Sequence, residues 1–306
     1  MIQGSVTEKS IYMRVIVLLI LSILLCNCDT DIQSLDPVVD IESAAGVGSD
    51  HALDAFRFDK SNGHHWFLPD DLREISGLAI TPDDRLFAHN DEEAVVFEIN
   101  YFEGAFNKIF WLGDVPVLND FEGIAVTEDY MYLVTSTGVI YRFKEGVDAQ
   151  SVEFETFRTE LADICEVEGL SYFQKRRQLL LLCKRMIGNE RSLPLYTWSI
   201  DKQILEEPLF YLDESYLAAL LDKKHFRPSG VKVNMTTGTI YIIAARQRAI
   251  IEMSEEGKLL TYRFLPKNSH RQVEGITVLS NGNLVLGAEG SKKAAKLDIY
   301  ETKPSS

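Results

Sequence analysis

Asp120-Phe121-Glu122-Gly123-Ile124-Ala125-Val126 is one of five occurrences of a single pattern. A serine or glutamate followed by glycine opens an alternating apolar run, and the same plan stands at Glu74-Ile75-Ser76-Gly77-Leu78, Glu166-Val167-Glu168-Gly169-Leu170, Arg227-Pro228-Ser229-Gly230-Val231 and Gln272-Val273-Glu274-Gly275-Ile276. The glycines are 46, 46, 61 and 45 residues apart. A polar turn follows each run, such as Thr81-Pro82-Asp83-Asp84 or Ser280-Asn281-Gly282, and a second apolar strand begins eight or nine positions past the glycine.

Those second strands are Arg85 to Ala88, Met131 to Val134, Gln178 to Leu181, Thr239 to Ile242 and Asn283 to Leu286. Third strands are expected at Val95–Asn100, Val139–Phe143, Leu195–Ile200, Ala249–Met253 and Ala295–Tyr300. Fourth strands are expected near Lys108–Leu112, Val152–Phe157, Pro208–Leu212 and Leu260–Leu265. Four short strands in about 45 residues is the size of one propeller blade. The fold class expected is therefore all-β, a five-bladed β-propeller of four-stranded antiparallel blades. The fifth unit stops after three strands. His64-His65-Trp66-Phe67-Leu68-Pro69 matches Arg263-Phe264-Leu265-Pro266 in its place before the next glycine, so the N-terminal strand is expected to complete the last blade and close the ring, which removes exposed edges.

The one long spacing holds 15 extra residues around Glu214 to Phe226, with Asp213 as cap and Tyr216, Leu217, Leu220 and Leu221 on one face. It predicts one helix inserted between blades three and four, its apolar face on the propeller rim.

In 306 residues, 46 Asp and Glu face 31 Lys and Arg, a net charge of −15 with no basic block, so nucleic-acid binding is not expected. Lys9 and Arg14 precede the uncharged run Val15 to Leu25, too short for a bilayer span of about 20 residues, and Cys26-Asn27-Cys28 follows. Residues 1–27 are expected to be a signal peptide, with translation starting at Met1 or Met13. Leu25-Cys26-Asn27-Cys28 resembles a bacterial lipobox, with Cys28 favoured over Cys26 as the lipidated residue, Asn27 departing from the usual small residue. The alternative is ordinary secretory cleavage nearby. Residues 28–51, acidic and without Lys or Arg, read as a flexible tether, and residues 52–306 as the propeller domain.

Equivalent residues on innermost strands form a ring around a propeller axis, and here those before the glycines are Ser76, Glu122, Glu168, Ser229 and Glu274. Three converging carboxylates repel unless a cation or basic side chains compensate them. An all-oxygen set suits calcium. Glu122, Glu168 and Glu274 are the expected ligands, with Ser76, Ser229, Asn90, Asp91 and Glu289 as outer or additional ones. The competing reading pairs these glutamates with Lys184, Arg185 or Arg246, or with backbone N–H groups. Cys165 and Cys183 fall on neighbouring strands, but pairing through the Gln174 to Arg177 turn sets Cys183 opposite Glu168, which argues against a disulfide.

The order Ser-Gly, Glu-Gly, Glu-Gly, Ser-Gly, Glu-Gly at 76, 122, 168, 229 and 274 resembles that of the SdiA-regulated (YjiK-like) family of bacterial propellers, distantly similar to NHL-repeat proteins, over about residues 60 to 302. The long third unit departs from the even pattern. The resemblance implies a five-bladed, usually exported propeller with bound calcium at Glu122, Glu168 and Glu274.

The function expected is that of a calcium-binding recognition protein in the cell envelope, anchored to the membrane by its N-terminal lipid, with a protein or small molecule as ligand. The alternative is a calcium-dependent hydrolase of phosphotriesterase, lactonase or phytase type, in which the ion polarises an oxygen and activates water. Its base would be sought among His89, His225 and His270. No nucleophile elbow, Walker loop, His-Glu-x-x-His or Cys-x-x-Cys occurs.

Overall fold

The computed structural model describes residues 51–56, 58, 63–266, 270–290 and 292–302; the expected signal peptide, Cys28 and the acidic segment to Asp50 lie outside them. The first strand, β1 (Gly63–Phe67), belongs to the last blade. Blade 1 follows as β2 (Ile75–Ile80), β3 (Leu86–Asn90), β4 (Val95–Asn100) and β5 (Ala105–Leu112). Blade 2 is β6 (Phe121–Val126), β7 (Met131–Thr135), β8 (Val139–Phe143) and, after the short β9 (Gln150–Val152), β10 (Phe154–Arg158). Blade 3 is β11 (Cys165–Phe173), β12 (Gln178–Met186), β13 (Ser192–Ser199) and β14 (Ile204–Asp213). The helix α1 (Glu214–Leu220) leads to blade 4, comprising β15 (Gly230–Val233), β16 (Ile240–Ala244), β17 (Ala249–Met253) and β18 (Leu259–Phe264). Blade 5 is β19 (Val273–Val278), β20 (Leu284–Ala288) and β21 (Lys296–Tyr300), and β1 completes it in antiparallel register from Gly63 opposite Tyr300 to Phe67 opposite Lys296.

The innermost strands touch in the cycle β2, β6, β11, β15, β19 and back to β2, so the ring is closed. Its apolar core is divided into five clusters, each lying between two consecutive blades. Middle strands are therefore buried on both faces, which is why Ile240-Tyr241-Ile242-Ile243-Ala244 reads as a continuous apolar run instead of alternating. No blade completes its core without a neighbour on either side.

Two elements differ from the sequence expectation. The single fourth strand expected at Val152–Phe157 is two strands: Gln150–Val152 adds in parallel to the outer edge of blade 1 through β5, and Phe154–Arg158 pairs with β8 in blade 2. The chain thereby covers an edge of one blade before finishing the next. The inserted helix is shorter than expected. Asp213 caps it, its Oδ1 accepting from the Tyr216 N–H at 2.9 Å, and the left-handed Asp222 ends it as Lys223 N–H returns to the Ala218 carbonyl. Leu217 and Leu221 are buried in the cluster between blades 3 and 4, as the apolar face predicts.

Candidate axial site

The marker residues lie at or near the start of the innermost strands, Ser229 just before β15 and Glu168 inside β11, and the ladder is irregular at four of them. Register shifts fall between Ile75 and Gly77, Phe121 and Gly123, Val167 and Leu170, and Val273 and Gly275. Ser76, Glu122, Glu168 and Glu274 are thus the extra residues of β-bulges, which take side chains out of the regular alternation and re-aim them. The glycine beside each permits the strands to approach. A Cβ on Gly123 would lie 2.5 Å from the Leu170 nitrogen, and one on Gly230 would lie 2.7 Å from the Glu274 carbonyl oxygen. The space left among Ser76, Glu122, Glu274 and these glycines is only about 10 Å³, about what one water needs.

The fifth marker behaves differently. Ser229 hydroxyl donates to the Val273 carbonyl at 2.7 Å and accepts from the Ala245 N–H at 3.0 Å, joining blade 4 to blade 5. Its bonding capacity is spent on closing the ring. Ser76 instead faces its neighbour, its hydroxyl 3.4 Å from Glu122 Oε2.

Charge at this mouth is unbalanced. Lys184 on β12 reaches Glu168 Oε1 at 2.5 Å and Glu166 at 3.5 Å, so one of the basic partners weighed from the sequence is in place. Arg185 pairs with Glu166, outside the ring, and Arg246 is exposed. Glu168 is 4% exposed, and its Oε2 is buried with no partner among the described residues. Burial pushes the Glu168 carboxyl up despite the pull of Lys184. Burial and then the charges of Glu168 and Asp120 push Glu122 up further. Glu274 is pushed up to about 8 by burial, with Glu168 and Glu289 adding to it. Each carboxylate resists ionising because water is excluded and its neighbours carry the same sign.

Asp91 and Glu289 are both raised by burial and by the charge of Glu74, and Asp91 raises Glu289 as well. Asp91 Oδ1 is also buried without a partner, whereas Glu289 accepts from the Gln272 side chain. Asn90 is used locally, its Oδ1 capping the turn at Glu93 N–H. Among the described residues, no three Asp, Glu, His or Cys side chains stand as a ready-made coordination sphere. The donor chemistry nevertheless suits a hard cation, because oxygens predominate, two of them, Glu168 Oε2 and Asp91 Oδ1, are orphaned, and acidic groups outnumber basic ones.

Of the three histidines considered as bases, two are engaged away from this cluster. His225 bonds Glu214 at 2.9 Å, and His270 bonds the Tyr300 hydroxyl. His89 is fully buried against Gly77, where a Cβ would meet its Nε2 at 2.5 Å. Its Nδ1 donates to the Asn90 carbonyl at 2.7 Å, so Nε2 is a buried acceptor without a partner, and burial lowers its pKa to about 4.

Cys165 and Cys183 form a disulfide, contrary to the register inferred from the turn. The bulges around Glu166 and Glu168 shift the pairing so that Cys183 stands opposite Val167, and the cysteine Cα atoms come to 5.8 Å.

These features define a closed five-bladed β-propeller with a buried acidic cluster at one axial mouth. No protein-family model matches the chain, and no curated protein is similar to it in sequence. Among solved structures, the glutaminyl cyclase of Myxococcus xanthus superposes with a TM-score of 0.54 at 11% identity, over 79% of this chain and 97% of that one. A luciferin-regenerating enzyme superposes with a TM-score of 0.50 at 9% identity, over 79% and 96%. At such identities the likeness is one of fold.

Proposed function

We propose that this chain is an exported protein of the bacterial envelope, anchored through Cys28, whose propeller binds calcium at the acidic mouth and recognises a protein or small-molecule ligand. The observation that carries the reading is the set of buried carboxylates Glu122, Glu168 and Glu274, with Glu168 Oε2 orphaned and Lys184 the basic group hydrogen-bonded within that set. The resemblance to the SdiA-regulated family supports it. The disulfide supports export, because such bonds persist in oxidising compartments. Calcium would supply charge compensation and order at the mouth; Glu122, Glu168 and Glu274 would hold it, with Asp91 and Glu289 in the surrounding field. Lys184 competes with the ion for Glu168.

Calorimetric titration of residues 52–306 with calcium tests the metal assignment. Saturable binding is expected, with proton release near pH 7 because the carboxyls start partly protonated. The Glu122→Gln, Glu168→Gln, Glu274→Gln variant, shown folded by circular dichroism, should not bind, and Lys184→Gln should bind more tightly. Absence of binding by the native domain, or undiminished binding by the triple variant, sinks the assignment. In the full chain, Cys28→Ser is expected to move the protein from the membrane fraction to the soluble one.

A further inference from the structure

The opposite end of the axis holds a cavity of about 300 Å³. The turns that follow all five innermost strands line it, with Ile80, Val126, Met235, Val278 and Leu279 as apolar surface. Lys232 of β15 also lines it and is 8% exposed. That lysine makes no hydrogen bond or ion pair to any described residue, unlike Lys184 at the acidic mouth.

Packing does not ask for an ammonium there. Two positions past the marker glycines stand Ala79, Ala125, Ser171, Lys232 and Thr277, so the other four blades place small side chains at this level. The acidic groups around the cavity are committed elsewhere. Asp84 accepts from Ser280, through its N–H at 2.8 Å and through its hydroxyl, and Glu128 accepts from the Tyr172 hydroxyl at 3.0 Å and Gln174 at 2.8 Å. A buried ammonium without a counter-charge is costly, and an anion that enters removes the cost. The apolar lining selects the rest of that ligand.

We propose that this cavity is a binding site for a small organic carboxylate with an apolar body, its carboxylate held by Lys232. The site is separate from the acidic mouth and does not depend on calcium. Burial lowers the Lys232 pKa to about 8, so the amine is still largely protonated at neutral pH and gains its missing partner from the ligand. Glu128, Tyr172 and Tyr241 do not change charge near that pH. Glu128 is held low despite burial, by its own backbone and by Gln174 and Tyr172; burial raises Tyr172 to about 12 and also raises Tyr241, the cross-strand neighbour of Lys232. Asp84 is engaged by the N–H and hydroxyl of Ser280.

The full-length protein would be titrated with hexanoate and phenylacetate, and with their uncharged amides, by calorimetry. Saturable binding of at least one acid at pH 7 is expected, with its amide at least tenfold weaker. Affinity should fall about tenfold per pH unit above 8, as the amine loses its proton. Lys232→Met, which keeps the apolar stem, should weaken binding at least tenfold. Should that variant fail to fold, the amide comparison and the pH profile of the native protein decide. Failure of both acids to bind, equal binding of the amides, a flat profile between pH 7 and 10, or unchanged affinity in folded Lys232→Met each overturns the proposal.

Discussion

The two ends of the propeller axis carry buried charge of opposite sign, and they handle it differently. At one end Glu122 and Glu274 line a gap of about 10 Å³ among the glycines, and the buried Glu168 is hydrogen-bonded to Lys184. At the other a single lysine lines about 300 Å³ of open space with no carboxylate bonded to it. The contrast teaches that the same repeat, with one or two side chains exchanged per blade, can build a tight acidic cluster and a roomy lysine-lined pocket on one axis. Closure of the ring sets the spacing of both; side-chain substitution sets their sign.

The two ends should also bend the stability curve in opposite directions. A carboxyl raised from about 4.5 to about 8, as in Glu274, leaves the folded protein holding more protons than the unfolded chain over that interval. Its contribution to stability is fully present below about 4.5 and is lost as pH rises through 8. An amine lowered from 10.5 to about 8 leaves the unfolded chain holding more protons between those values, so stability rises with pH there.

The largest effect is expected from the triple glutamine variant in the presence of a chelator. Denaturant melts from pH 5 to 8.5 should show the native protein losing on the order of a few kcal/mol that the variant keeps. Equal slopes would mean that the carboxyls are solvated, and the contrast between the two ends would fail. Next comes the disulfide beside the acidic mouth. Replacing both Cys165 and Cys183 by serine opens a link between residues 18 apart and is expected to cost about 3 kcal/mol, read as a lower denaturation midpoint with a slope that rises, if anything, as the unfolded chain expands. Lys232→Met should give the smallest shift, a gain of about 1–3 kcal/mol at pH 7 that vanishes by pH 11, since it removes an uncompensated ammonium. Destabilisation at pH 7 would show that the amine has a bonded partner after all, and the two ends would then be alike.

Much of the fold is legible in the sequence because a propeller repeats. The recurring glycine, the turn beyond it and the Phe-Leu-Pro match between the first and last units specify strand order and ring closure through local chemistry alone. The carboxylates at the mouth were legible for the same reason, since equivalent positions of a repeat share one radius. The bulges were not. An extra residue in a ladder leaves no mark in residue type, yet it re-aims Glu122 and Glu274 and brings Cys165 within bonding distance of Cys183. The double use of residues 150–158 by two blades was hidden too, because one polar residue, Glu153, is the whole interruption. Lys232 carried a usable signal, the departure from Ala79, Ala125, Ser171 and Thr277 at equivalent positions, which becomes visible only when the strands are compared column by column.

By itself, then, the amino-acid sequence determined the five-fold repeat, the closing strand, the capped insertion and the acidic residues of the ring, because each depends on periodicity or on contacts between near neighbours. Only the tertiary structure decided which glutamate Lys184 neutralises, which oxygen is left without a partner, and that Ser229 closes the ring while Ser76 faces Glu122. Those outcomes depend on register and on the burial that comes with closing five sheets around one axis, and both are properties of residues far apart in the chain.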